Sequence, residues 1–493
     1  MTAPAEAPRR PGLPGTQQSL SPTVPATGSP DPSLRQSLPL LALGGVVLVF
    51  ASVGLRGLSD PDLGWHLRTG QLILDSGFVG HDPWSFASSQ PWVHHEWGGE
   101  VLMYLAYAGA GYQGVIVLRL VLMLTLGVLV ARACLRVAGP LATTIAMALS
   151  ALSLWSRATE RPQLISLCIL AAVLPAFLRA AQERRPPWWL VPVSLVWVNV
   201  HALWVVIPVL LVVLMVGMSL DDRRSSRRWL GPWSTCLGCV LLVAMANPAG
   251  AHIFGIFDVG GAGFIGEFGP PQLTDPTNIT AALLAAIVVT AWARSESAVP
   301  WTVLSFALVL IGIGFLYSRN VPIAAIGLAP LAATAMSGSV PLGRPFKVPD
   351  RDKWGLAALG IAFAVVAAVQ LGGSSGFGTP GLGPARRLDA LDGRAHVLNE
   401  YNDGGWLVWT ARDTSVAIDG RAEVYGSAYV TKYLDARAMR PGWRRYVASG
   451  DFAAAYLYRS TPLVQGLRTD GWRTVWRHDH HVLMLPPRTS TAP

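Results

Sequence analysis

The chain is 493 residues long, 52% hydrophobic and only 14% charged, with a mean hydropathy of +0.41, too little charge to cover an ordinary water-soluble surface. Apolar runs recur at about the 20-residue length that spans a bilayer, so the sequence reads as a membrane protein and a soluble multidomain enzyme is excluded. The net charge of +9 sits mostly on arginines flanking apolar segments, which encodes orientation rather than affinity for nucleic acid.

Residues 1–38 hold eight prolines and few large apolar side chains, and read as a disordered cytoplasmic tail. From 39 to 371 a transmembrane domain is expected, with eleven apolar segments at 39–56, 114–135, 140–156, 162–181, 188–199, 203–219, 230–246, 279–293, 299–316, 321–337 and 354–371. With the tail inside, Arg132, Arg136, Arg179, Arg184, Arg185, the Arg223 to Arg228 cluster, Arg294, Arg344, Lys347, Arg351 and Lys353 fall on the cytoplasmic side. Before residue 371 only Arg68, Arg157, Arg161 and Arg319 fall in the opposite connections, with Arg56 at a span end, an asymmetry that predicts an extracytoplasmic C-terminus. Cys134, Cys168, Cys236 and Cys239 lie inside apolar runs, so neither a disulfide framework nor a zinc site in a soluble loop is expected.

The unusual polar residues collect on the predicted outer face. The first outer loop, 57–113, is long and rich in tryptophan, which points to a functional loop. Within it Asp60 before Pro61 predicts a helix start, and Asp62 and His66, four apart, share a face of that helix. His94, His95 and Glu96 then offer proton carriers or metal ligands, although HExxH spacing is absent. The remaining outer turns carry Arg157 and Arg161, Asn199 and His201, a loop with His252, Asp258 and Glu267, and Arg319. A lone arginine at a helix end is usually a snorkelling anchor, but polar groups gathered on one side point to a common wet pocket.

A Gly/Ser/Pro linker at 372–384 leads into a small α/β domain, 385–493. Its strands are expected at His396 to Leu398, Ser415 to Ile418, Ala453 to Tyr458, Arg473 to Trp476 and Val482 to Leu485, with helices at Ala428 to Ala448 and Pro462 to Asp470. The Gly-rich turn at Asp403 to Gly405 lacks the spacing of a dinucleotide fingerprint.

Taken in order, DPDLGWHLRTGQLILDSG, HDPWSF, HHEW, ERPQLISL, WVNVH, ANPAG, EFGPP, RNVP, YNDGGWLVW and IDGRAEVYG resemble a group of bacterial polytopic membrane proteins similar to the GT-C glycosyltransferases. The resemblance, over roughly 60–490, implies an all-α polytopic membrane domain of about eleven transmembrane helices, GT-C-like, followed by a small extracytoplasmic α/β domain. It also implies a polyprenyl-phosphate-linked sugar as donor and an essential acid in the first outer loop, here Asp60 or Asp62, which stand apart across a proline where the group has adjacent acids. On that reading Asp60, Asp62, His66 and Glu96 form the catalytic set; His94, His95, Arg157, Arg161, Asn199, His201, Glu267 and Arg319 bind substrate; and the arginines face the phosphate. The expected partners are membrane lipid, the lipid-linked sugar and an acceptor glycan, lipid or protein, with no nucleic acid. A divalent metal ion at Asp60, Asp62 and Glu96 is an alternative to proton transfer by these acids. Two other classes stay open: a transporter or flippase of an envelope precursor, which would show inverted repeats and polar groups at the midplane, and a non-catalytic envelope assembly protein working through its outer domain.

Overall fold

The computed structural model describes residues 32–224, 226–256, 266–337, 350–373, 383–391, 393–478 and 480–487. Most of the tail and of the linker, together with Asp258, Arg344 and Lys347, lie outside the described residues. The N-terminal part holds α1 (Pro32–Gly54), α2 (Leu63–Ser76), α3 (Trp97–Leu135), α4 (Pro140–Leu154), α5 (Gln163–Glu183), α6 (Leu190–Val198), α7 (Val206–Asp221), α8 (Ser226–Val243), α9 (Pro276–Ala293), α10 (Trp301–Leu316), α11 (Val321–Ser337) and α12 (Asp350–Gly373). Every apolar segment foreseen in the sequence falls on one of these helices. Among the described residues, however, six helices are long and apolar enough to cross a membrane, rather than eleven: 97–135, 163–183, 202–221, 276–293, 318–337 and 352–372. Three more, 40–54, 140–154 and 301–316, are apolar but shorter. The deficit is plainest at α6, whose nine residues rise only about 14 Å against a hydrocarbon core of about 30 Å.

α11 is the axis of the bundle. Its alanine and glycine positions let α3, α4, α5, α9 and α10 pack against it, and Ala324, Ala325, Leu328, Ala329, Ala332 and Ala333 are fully buried. α1 lies against α3, α4 and α12, and α7 against α8 and α10.

Two local readings of the first loop need correction. The stretch from Trp97 to Gly109 is helical, so the loop ends at Glu96 and α3 runs on through a break at Ala110 and Gly111, where Gly111 takes φ +61°. The helix expected to start at Asp60 starts at Leu63; the Asp60 carboxylate instead accepts the Asp62 N–H at 2.9 Å in an Asx turn.

The C-terminal part contains α13 (Gly383–Asp389), β1 (Ala395–Asn399), α14 (Gly404–Thr410), β2 (Thr414–Val416), α15 (Ala422–Tyr425), α16 (Ser427–Arg437), α17 (Trp443–Ser449), β3 (Ala454–Tyr458), α18 (Pro462–Thr469), β4 (Arg473–His478) and β5 (His481–Leu485). The five strands match the sequence expectation. The single helix foreseen over 428–448 is two, divided where Met439 and Gly442 take positive φ. The sheet order is β2-β1-β3-β5-β4, with β2, β1 and β3 parallel and the last two pairings antiparallel.

The first loop and this domain share one core. Trp65, Trp84 and Trp92 of the loop are buried with Val397, Leu407, Ile418 and Val424. The loop also extends the sheet: Ser85 bridges Val416 in parallel at the β2 edge, the Val416 N–H donates to the Trp84 carbonyl at 3.0 Å, and Ser85 Oγ donates to the Val416 carbonyl at 2.8 Å. α14 lies on α2 so closely that a Cβ at Gly64 would collide with the Gly405 carbonyl. Loop and domain therefore sit on the same side of the apolar bundle.

Candidate functional site

One end of the bundle, the first loop and the carboxyl ends of β1 and β2 meet at one corner. Arg161, just before α5, is its hub: Nε reaches Asp60 Oδ2 at 2.6 Å, Nη2 reaches Asp62 Oδ2 at 2.8 Å and Nη1 reaches Glu267 Oε2 at 3.1 Å. Burial disfavours its charge, but the three carboxylates outweigh this and hold its pKa well above the usual value. Asp60 is enclosed, its side chain 1% exposed, whereas that of Asp62 is 15% exposed. Burial pushes the Asp62 carboxyl up; Arg161 pulls it down and Asp60 pushes it up again. Beneath them Glu160 accepts the backbone N–H groups of Ser59 and Asp60 and pairs with Arg119, which in turn donates to the Gly54 and Arg56 carbonyls left open at the end of α1.

The HHEW corner lies alongside, and the hydrogen bonds of its three histidines fix two states, one imidazolium and two neutral rings protonated at Nε2. Both ring nitrogens of His95 face oxygens, the Val93 carbonyl at 3.1 Å and Glu96 Oε1 at 3.2 Å, so the ring is an imidazolium. Burial works against that charge, yet Glu96 outweighs it and raises His95 to about 9. His201 accepts the Leu203 N–H at Nδ1, which leaves its proton on Nε2, 3.4 Å from Glu96 Oε1; burial lowers it to about 4, helped by the Arg319 charge. His94 donates from Nε2 to the Val79 carbonyl at 2.9 Å while its buried Nδ1 has no partner among the described residues, and burial lowers its pKa, the signature of a neutral ring. Glu96 itself is buried, which would raise it, but His201 and His95 hold its carboxyl well below the usual range.

Not every residue singled out in the sequence faces this corner freely. His66 turns Nδ1 toward Glu100 Oε1 at 3.4 Å rather than pairing with Asp62. Asn199 is a structural pin: it accepts the Trp97 indole N–H at 2.6 Å and donates to the Leu195 and Ala246 carbonyls. Arg157 is consumed by Asp275, Thr277, Asn278 and Ser318. Arg319 lies over the Phe268 ring at 4.7 Å and makes no ion pair with any described residue.

Sequence reasoning missed the contribution of the C-terminal domain. Arg421 is fully buried, donates to Asp82 and Asp419, whose side chains are also 0% exposed, and lies under the rings of Trp84 and Trp92 at 4.8 and 4.9 Å. Gly420 presses on Asp62 so closely that a Cβ there would collide with the carboxylate, and Tyr401 donates its hydroxyl to the Gly420 carbonyl at 3.2 Å. The signal was present in YNDGGWLVW and IDGRAEVYG, whose charged and aromatic residues fall between strand-like runs. Glu100, missed too, was read as part of a loop.

Among the described residues no three His, Cys, Asp or Glu side chains gather as a metal site. The chain matches no protein-family model and no curated protein.

Proposed function

We propose that the chain is an integral-membrane glycosyltransferase of GT-C-like design, transferring a sugar from a polyprenyl phosphate carrier to an acceptor at the outer face of the cytoplasmic membrane. The observation that carries this reading is the inequality of the two first-loop acids. Both pair with Arg161, but Asp60 is enclosed, while Asp62 keeps a partly open carboxylate whose proton affinity burial raises. In the reaction Asp62 takes the proton of an acceptor hydroxyl as its oxygen attacks the anomeric carbon. The bond from that carbon to the phosphate oxygen breaks, and the phosphate leaves with the electron pair as an anion, so no general acid is required. Arg319, the one arginine of the predicted three without a carboxylate partner among the described residues, suits the departing charge. The distribution of basic residues along the sequence supports an inside N-terminus and an extracytoplasmic corner.

Membranes containing the full chain, supplied with a panel of radiolabelled polyprenyl phosphate hexoses and pentoses, are expected to transfer label from at least one donor, and Asp62→Asn to abolish it. Wild-type transfer by Asp62→Asn overturns the assignment of the base. A non-catalytic assembly role is the second reading, favoured by the way Arg161 ties three chain segments together; failure of every donor with folded protein would support it.

A further inference from the structure

We infer that a cleft in the C-terminal domain, lined by Asp389, Arg394, Arg412 and Asp413, holds the zwitterionic headgroup of a phospholipid of the phosphoethanolamine class. The cleft lies at the amino ends of β1 and β2, away from the Asp62 corner at their carboxyl ends, and the inference stands whether or not the chain transfers a sugar.

Strand register builds the cleft. β1 and β2 run parallel with Ala395 opposite Thr414, so the residues just before them, Arg394 and Asp413, stand side by side. Arg412 comes next along the chain, and Asp389 closes α13 beside them, its Oδ1 accepting the Asp413 N–H at 3.4 Å. Together they line an open cleft of about 450 Å³, a size in the range of small-ligand sites.

Depth comes from the neighbours. Trp409, near the end of α14, donates its indole N–H to the Tyr112 hydroxyl at 3.1 Å, and the Arg412 guanidinium lies over the same indole at 5.1 Å. Tyr112 is the first residue beyond the break in α3, and the limb from there to Leu135 rises about 36 Å, enough to cross a hydrocarbon core of about 30 Å. Leu371, at the end of the apolar helix 352–372, packs in the same cluster as Tyr112 and Trp409. Two helices of crossing length thus end beside this tryptophan, which sets it, and the arginine over its ring, at the level of the phospholipid headgroups.

Charge selects the lipid. Two guanidinium groups and two carboxylates line one cleft, yet none of the four forms an ion pair with a described residue. Arg394 donates from one nitrogen to the Pro83 carbonyl, and the rest of its fork, with that of Arg412, matches the oxygens of a phosphate. The carboxylates of Asp389 and Asp413 are acceptors for the three N–H groups of a primary ammonium, and they repel a headgroup that carries negative charge alone. A trimethylammonium offers no N–H, and Arg412 already covers the indole face that would attract it.

The test uses the full chain in detergent, examined by native mass spectrometry with phosphatidylethanolamine, phosphatidylcholine or phosphatidylglycerol added. A single phosphatidylethanolamine is expected to stay bound under activation that strips the other two lipids. Arg412→Gln and Asp413→Asn should each lower its retention about 10-fold, the effect of losing one hydrogen bond to a charged group. Equal retention of the three lipids, preference for phosphatidylglycerol, or retention unchanged in both variants overturns the inference. A second measurement needs no variant: hydrogen exchange of the wild-type chain in phosphatidylcholine nanodiscs, with and without phosphatidylethanolamine, should show protection by the added lipid at Arg394 and Asp413. No protection there, or protection by soluble phosphoethanolamine alone, overturns the assignment to a lipid.

Discussion

Two arginines, each gripped by two aspartates, do different work in this molecule. Arg421 with Asp82 and Asp419 is dry: all three side chains are 0% exposed and tryptophan rings close over the guanidinium. Arg161 with Asp60 and Asp62 is wetter, 20% exposed, and a third acid, Glu267, joins it. One positive charge against two in the cage, or against three at the corner, leaves both negative, but only the corner is open to solvent. The cage holds the loop in register on the domain; the corner keeps a carboxylate available.

The comparison is broken most severely from the cage side. Arg421→Met strands two carboxylates in a dry core and should cost about 3–5 kcal/mol, read as a lowered midpoint in tryptophan-detected unfolding and as proteolysis within 57–96. Adding Asp82→Asn and Asp419→Asn should recover part of that loss; no recovery would mean that packing, not charge, holds the loop. From the corner side, Asp62→Asn should reduce transfer by about 10²- to 10⁴-fold with unfolding unchanged, while Asp60→Asn, which removes the enclosed partner, should lower stability as well.

The histidines sharpen the contrast through pH. His95 is raised to about 9 in the fold from an ordinary 6.5, so its contribution to stability is complete below about 6.5 and is lost as pH rises through 9. His201 is lowered to about 4, so the unfolded chain binds the extra proton between 4 and 6.5 and stability falls as pH drops through that window. Stability of the folded corner should therefore peak near pH 6.5, and His95→Gln should flatten the alkaline side only. The smallest effect is expected from Gly420→Ala. Its new methyl meets the carboxyl end of the Asp62 side chain, so transfer should fall several-fold while stability stays within about 1 kcal/mol.

The sequence was most readable where a period or a run decides the structure. Each apolar run became a helix and each of the five strand-like runs a strand, because burial on one or both faces leaves a pattern. Crossing length was less readable, since helix ends such as the turn at Asn199 depend on tertiary hydrogen bonds, here to Ala246 and Trp97. The segment Trp97 to Gly109 falls inside the expected loop 57–113 yet is helical, and Gly98 and Gly99 stand in its first turn. Their real reason is close packing: a Cβ at Gly98 would lie 2.7 Å from the Asn199 carbonyl and one at Gly99 2.5 Å from Pro162. For the candidate site, the first-loop acids and Arg161 stood out by charge in an apolar chain. The partner of Asp82 in Arg421 did not, since no local pattern tells that residue 82 meets residue 421.

The strand-like bridge between Ser85 and Val416 spans 331 residues of chain, and that separation sets the order of assembly in the cell. At about 5–20 residues per second, the ribosome needs roughly 15–65 s to make the second partner after the first. Throughout that interval Trp65, Trp84 and Trp92 have left the ribosome without a core to enter. The loop made among the first is thus among the last to acquire its shape, and a chain that stops at the end of α12 would insert its helices yet present three unsheltered tryptophans to whatever quality control patrols that side of the membrane.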